Sequence, residues 1–129
     1  KKYKVKPTIY LCTKIVNSLR FFWFKIIDDE NKEFLKTISQ NNREKILKEK
    51  FNFKKDDKGN ISQRQSLSRN EIIKMIKYVN FESHSRYHAI LPKCSNKESL
   101  EEIRKSKYDL KKLGALQKAF VKKLFILLE

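Results

Sequence analysis

The sequence predicts an all-α fold, a small bundle of about four helices whose long first and last members are joined by polar loops. Three observations predict it. Gly and Pro number only two each in 129 residues, too few for the turns of a β-sandwich or barrel, or for a glycine-rich phosphate loop. Apolar residues return at helical spacing in the opening and closing segments. Two Ser-x-x-Glu capping boxes stand where helices would begin. At 40% hydrophobic the chain can bury a core despite its charge, and its length fits one domain over residues 1–129.

The elements follow in order. Residues 1–7 form a basic arm. After Pro7-Thr8, residues 8–27 read as one helix. At 100° per residue, Ile9, Leu11, Cys12, Ile15, Val16, Leu19, Phe22, Trp23, Ile26 and Ile27 share one arc. Aromatic and β-branched residues over Phe21 to Ile27 also fit a strand, but the helical arc accounts for the whole segment. Asp28-Asp29-Glu30-Asn31 interrupts it. Phe34, Leu35 and Ile38 then predict a short turn of helix. Asn41 with Glu44 resembles a cap for a further short helix with Ile46, Leu47 and Phe51 on one face.

Residues 52–67, with Asp57-Lys58-Gly59-Asn60, are polar and aperiodic, and read as a mobile loop. Ser68-Arg69-Asn70-Glu71 opens a helix carrying Ile72, Met75, Ile76 and Val79. Residues 81–96, with Pro92, form a connector. Ser95-Asn96-Lys97-Glu98 opens the last helix, where Leu100, Ile103, Leu110, Leu113, Phe120, Leu124 and Leu128 hold one face to the end. Gly114 inside that pattern costs about 1 kcal/mol against Ala and marks a kink.

Charge points to function. Lys and Arg number 31 against 15 Asp and Glu, a formal charge of +16. Residues 1–27 contain seven basic side chains and no carboxylate. Such an excess is repulsive in a folded chain unless a polyanion neutralises it. Arg appears only six times, so the cations are mostly hydrated point charges, suited to phosphates more than to base edges. Drift in an A+T-rich genome would enrich Lys on solvated faces, but it does not account for the shortage of Asp. The expected partner is nucleic acid, RNA before DNA, and the expected role is non-catalytic binding, as an accessory or structural component of a ribonucleoprotein.

The last helix supplies the expected surface. Arg104, Lys111, Lys118 and Lys122 lie opposite its apolar face, with Lys105, Lys112 and Lys123 alongside. Between residues 103 and 128 the sole acid is Asp109, whereas an ordinary solvated helix interleaves Glu with Lys. Lys14 and Arg20 in the first helix are the second set of phosphate contacts. Tyr10, Phe21 and Phe24 interleave with those cations, as stacking rings for unpaired bases or as a protein interface.

Other chemistry is weakly signalled. His84, His88, Cys94 and Cys12 match no paired-ligand zinc spacing, so no metal is expected. Glu82, His84, Arg86, Tyr87 and His88 resemble fragments of an acid–base site, from which a small nuclease could be assembled, but no catalytic motif or glycine-rich cradle accompanies them, and neither enzyme nor cofactor is expected. A helix-turn-helix over Ser66 to Tyr78 would need a shorter preceding loop. The alternative function is a helical protein–protein interaction module with an acidic partner. A third reading is attachment of the first helix to an anionic membrane surface. Two cysteines give no disulfide framework and no stretch reaches the ~20 apolar residues of a membrane span, which favours an intracellular reducing compartment. The chain starts at Lys1 rather than Met, so a removed targeting segment, and with it an organelle, falls within the expectation. Oligomeric state is left open.

Overall fold

A computed structural model of the chain describes residues 5–55 and 64–114. Strand β1 (Thr8–Leu11) opens the fold. Helices α1 (Asp29–Thr37), α2 (Gln40–Phe51) and α3 (Arg69–Met75) follow, then strand β2 (Asn80–Ser83) and helix α4 (Asn96–Lys112), with 3-10 turns at Trp23–Lys25 and Leu91–Lys93. The described chain is therefore mostly helical, and to that extent the expected class holds. It is not all-α: β1 and β2 pair in parallel, with Ile9 opposite Phe81 and Leu11 opposite Ser83. No described helix is long and apolar enough to cross a membrane.

The main correction is the first helix, which does not form. β1 occupies residues 8–11, and Cys12 to Asn17 turn back on themselves, with Asn17 in the left-handed region at φ 53°. The Asn17 N–H donates to the Leu67 carbonyl (2.9 Å), and its side-chain oxygen accepts from the Arg69 N–H (3.3 Å). Thr8, Ile9, Thr13, Ile15 and Val16 are β-branched and weak helix formers, and a segment this rich in apolar residues can fill an arc at several periodicities. Tertiary packing divides it instead. Leu11 and Val16 join Ile72, Val79, Phe81 and Leu110 in one buried cluster. Trp23 and Ile27 join Leu35 and Leu47 in another. Leu19 and Ile26, inside the expected arc, remain exposed. Long first and last helices thus do not pack on each other; α4 packs on β2.

The shorter elements follow their local signals. Asp28 caps α1, accepting from the Asn31 N–H (2.9 Å). α2 is capped by Ser39 rather than Asn41. Both expected capping boxes form, Ser68 with Glu71 on α3 and Ser95 with Glu98 on α4. α3 is shorter than its apolar pattern, because the chain leaves the helix after Met75 and Val79 leads directly into β2. The segment expected to be a connector from residue 81 therefore begins as a strand. α4 stops at Lys112, and Gly114 takes φ +73°; Phe120, Leu124 and Leu128 of the expected face lie outside the described residues. Leu110 and Leu113 of that face pack inward. Ser106 and Leu110 are fully enclosed, while Leu100 and Ile103 are 47% and 41% exposed. Residues 1–4 of the basic arm, 56–63 of the loop, and Lys118, Lys122 and Lys123 lie outside the described residues.

Candidate nucleic-acid interface

Among the described residues two surfaces gather cations. The first is the outer side of α4. Ser106 and Leu110 fix which side faces inward, and Lys97, Arg104 and Lys111, spaced by seven, then point nearly opposite. Asp109, the one acid in the second half of this helix, turns inward. Its Oδ2 accepts from Arg86 Nε (3.1 Å) and from the Thr13 hydroxyl (3.2 Å). Among the described residues no ion pair engages Arg104, Lys107 or Lys111. Lys105 and Lys112, both expected as phosphate contacts, are exposed but engaged: Lys105 pairs with Glu101 one turn back, and Lys112 lies over the Tyr108 ring (4.7 Å). The outward cations therefore form a narrow ribbon rather than a uniformly basic helix.

The second surface is a cleft of about 510 Å³. α2 forms one wall, and the segments around Trp23, Phe53 and Tyr87 close the others. Its floor is apolar: Ile15, Trp23 and Leu47 are buried, and the half-buried rings of Phe21, Phe53 and Tyr87 open onto it. Phe21 meets Phe53 edge to face at 5.5 Å. Five cations line the cleft, Arg43, Lys45, Lys48, Lys54 and Lys55, against the carboxylates of Glu44 and Glu49. Glu44 is already engaged, accepting from Lys55 Nζ (3.0 Å) and from the Gln40 amide (2.6 Å). Lys55 also stands over the Tyr87 ring at 5.7 Å.

Arg43 is the unusual member. Its side chain is 1% exposed, with the guanidinium 5.6 Å from the centre of the Trp23 ring. Nη1 donates to the Leu35 carbonyl (3.2 Å) and Nη2 to the Gln40 side-chain oxygen. Among the described residues no carboxylate pairs with it. A buried cation without a counter-ion is costly, and burial accordingly lowers its pKa. Cations thus outnumber carboxylates in the cleft lining.

The residues expected in a first-helix patch are dispersed by the fold. Tyr10 sits on β1, 65% exposed, beside His84. Phe21 lines the cleft. Phe24 stacks on Phe22 (5.0 Å) and packs against the second core cluster. Lys14 is half-buried: its N–H donates to the Arg86 carbonyl (2.9 Å), and its own carbonyl accepts from Arg20 Nη1 (3.2 Å). That geometry makes Lys14 and Arg20 part of a local turn, and they do not share a helix face.

The turn at residues 84–88 joins β2 to the cleft. Ser85 and His88 both have positive φ, a conformation that non-glycine residues hold only under constraint. Glu102 of α4 supplies one constraint, its Oε2 accepting from the Arg86 N–H (2.7 Å) and the Tyr87 N–H (3.4 Å). The Thr13 N–H donates to the Ser85 carbonyl (3.2 Å). The turn splits the acid–base fragments only in part, since the two imidazoles stay together. Arg86 faces Asp109, Tyr87 and His88 line the cleft, and His84 is exposed. The two imidazoles meet at 4.8 Å, and His88 packs on Phe22 and Phe24. Burial, with the neighbouring His84, holds His88 below the ordinary imidazole pKa. Cys12 donates its S–H to the His84 carbonyl (3.1 Å), and burial pushes its thiol up to about 12. Among the described residues no three His, Cys, Asp or Glu side chains are grouped to hold a metal ion.

The sequence did not single out Trp23, Arg43, Phe53 or Lys54 as a site. A signal existed for part of it, since α2 carries four cations within eight residues, Arg43 to Lys50. Phe53 lies in an aperiodic stretch and gave none. Comparison with known protein families, curated proteins and solved structures finds no match to this chain.

Proposed function

We propose that this chain is a non-catalytic nucleic-acid-binding protein, with RNA the favoured ligand, acting as an accessory or structural part of a ribonucleoprotein. The supporting observation is the outer side of α4, where Lys97, Arg104 and Lys111 stand outward while Asp109 is turned inward onto Arg86. Cations at steps of seven on a helix follow a phosphate backbone without reading sequence. RNA is preferred to DNA because the second basic surface carries aromatic rings suited to unpaired bases.

Filter binding of a single-stranded RNA oligomer across a salt series tests the proposal. Affinity falls steeply, with log K linear in log salt. Charge reversal at Arg104 and Lys111 together reduces that slope by about 2 and weakens binding at least about tenfold at physiological salt. Affinity indifferent to salt would rule the mechanism out.

A second reading is supported by Leu100 and Ile103, apolar and exposed on the same helix. In it, α4 docks on a protein whose surface is apolar with an acidic rim. The two readings part on one comparison. Leu100→Ser with Ile103→Ser abolishes a protein complex and leaves RNA affinity unchanged, whereas reversal of Arg104 and Lys111 has the larger effect on RNA.

A further inference from the structure

We propose that the cleft is a pocket for one unstacked nucleotide, its base lying among Phe21, Phe53 and Tyr87 and its phosphate on Lys48 and Lys54 at the rim. The choice of ligand rests on the nucleic-acid reading; the pocket itself is distinct from the α4 face.

Four observations lead there. The volume, about 510 Å³, lies within the range of about 300–1,000 Å³ typical of small-molecule pockets, which suits one nucleotide and excludes a duplex. The half-buried rings line the cleft, Phe21 edge to face with Phe53 and Tyr87 beside the Lys55 and Arg86 cations, and a base stacks among aromatic rings whatever its identity. Lys45, Lys48 and Lys54 have no ion-pair partner among the described residues. Beneath them the enclosed Arg43 makes no close ion pair among the described residues, Glu44 acting on it only at longer range. An aromatic floor with cations in excess of carboxylates matches a ligand that is flat and apolar at one end and anionic at the other. Either a free nucleoside phosphate or one residue of a single strand has that chemistry.

The test uses the full chain with adenosine and uridine 5′-monophosphates, measured by equilibrium dialysis. Emission from Trp23 is read in parallel; it is the one tryptophan in the sequence and forms part of the cleft floor. Both nucleotides bind saturably, and the Trp23 signal changes over the same concentrations. Inorganic phosphate and ribose 5-phosphate bind at least about tenfold more weakly, since they have no ring to stack. Tyr87→Leu weakens nucleotide binding by at least about fivefold. Lys54→Glu, at an exposed position, does the same and serves if the Tyr87 variant fails to fold.

Equal binding of phosphate and nucleotide would overturn the pocket, as would full nucleotide affinity in Lys54→Glu, or no saturation by ~10 mM, beyond even weak millimolar binding. The two sources of the ligand separate in competition. If the strand inserts a nucleotide, excess monophosphate displaces part of the oligomer's affinity, and an oligomer with abasic residues binds more weakly than the intact one. If monophosphate binds without affecting the oligomer, the pocket serves a free nucleotide. An oligomer that binds with a steep salt slope while monophosphates do not bind ends the pocket and leaves the α4 proposal standing. The reverse result ends the α4 proposal and leaves the pocket.

Discussion

His88 shows how a single residue links the fold to pH. Its ring is packed between Phe22, Phe24 and His84, and its pKa lies below the ordinary value of 6.5. In the unfolded chain the imidazole takes a proton as pH falls through about 6.5, while the folded ring resists it. There is no penalty above that pH, and stability declines as pH drops below it towards the folded value. Urea midpoints at pH 7.5 and 5.5 therefore differ for the native sequence. His88→Asn, which tolerates the positive φ, narrows that difference. An unchanged gap would show that the decline comes from other groups. Arg43 makes the complementary point, since at 1% exposure a charged residue is held by a carbonyl, an amide oxygen and an indole face. Helical spacing alone marks the place of such a residue as solvent-exposed or buried by chance.

At the scale of the element, caps decide where helices begin, and they act through local chemistry. The Ser95 hydroxyl accepts from the Glu98 N–H (3.3 Å), and the Glu98 carboxylate accepts from the Ser95 N–H (2.8 Å). These bonds satisfy donors left open by the first turn of α4. Ser95→Ala is expected to cost about 1 kcal/mol, read as a lower urea midpoint with an unchanged slope. A loss below ~0.3 kcal/mol would mean that the Glu98 half of the box suffices. Glu98, Glu71 and Asp28 all have carboxyl pKa values lowered first by backbone N–H donors. Their help is in place above the usual carboxylate range and is lost as pH falls through it, below the window in which His88 acts. The strands obey no comparable local rule. β1 is four residues long and exists because β2, some seventy residues later, offers it a partner.

For the molecule as a whole, +16 is a destabilising field that salt should relieve. Melting temperature is expected to rise from low to physiological ionic strength. Relief of ~1 kcal/mol corresponds to about 4 °C for a chain of this length. Differential scanning calorimetry checks it, and a flat or falling melting temperature would show that the cations are locally compensated. The proposed RNA binding has the opposite expected dependence, weakening over the same salt range. Among the described residues the α4 ribbon and the cleft both gather cations, and these are the places where the proposed polyanion would relieve the excess.

The sequence by itself determined the helical majority, both capping boxes, the start of α4 and the outward direction of Arg104 and Lys111, because each depends on contacts within one or two turns of chain. Tertiary structure alone decided the fate of residues 8–27, the parallel pair and the cleft. In each of these, a residue's neighbours are distant in sequence: Ile9 meets Phe81, Phe21 meets Phe53, and Tyr87 faces α2. Apolar periodicity records that a segment will be buried. It does not record against what, and in a segment with apolar residues in nearly every direction the partner sets the conformation.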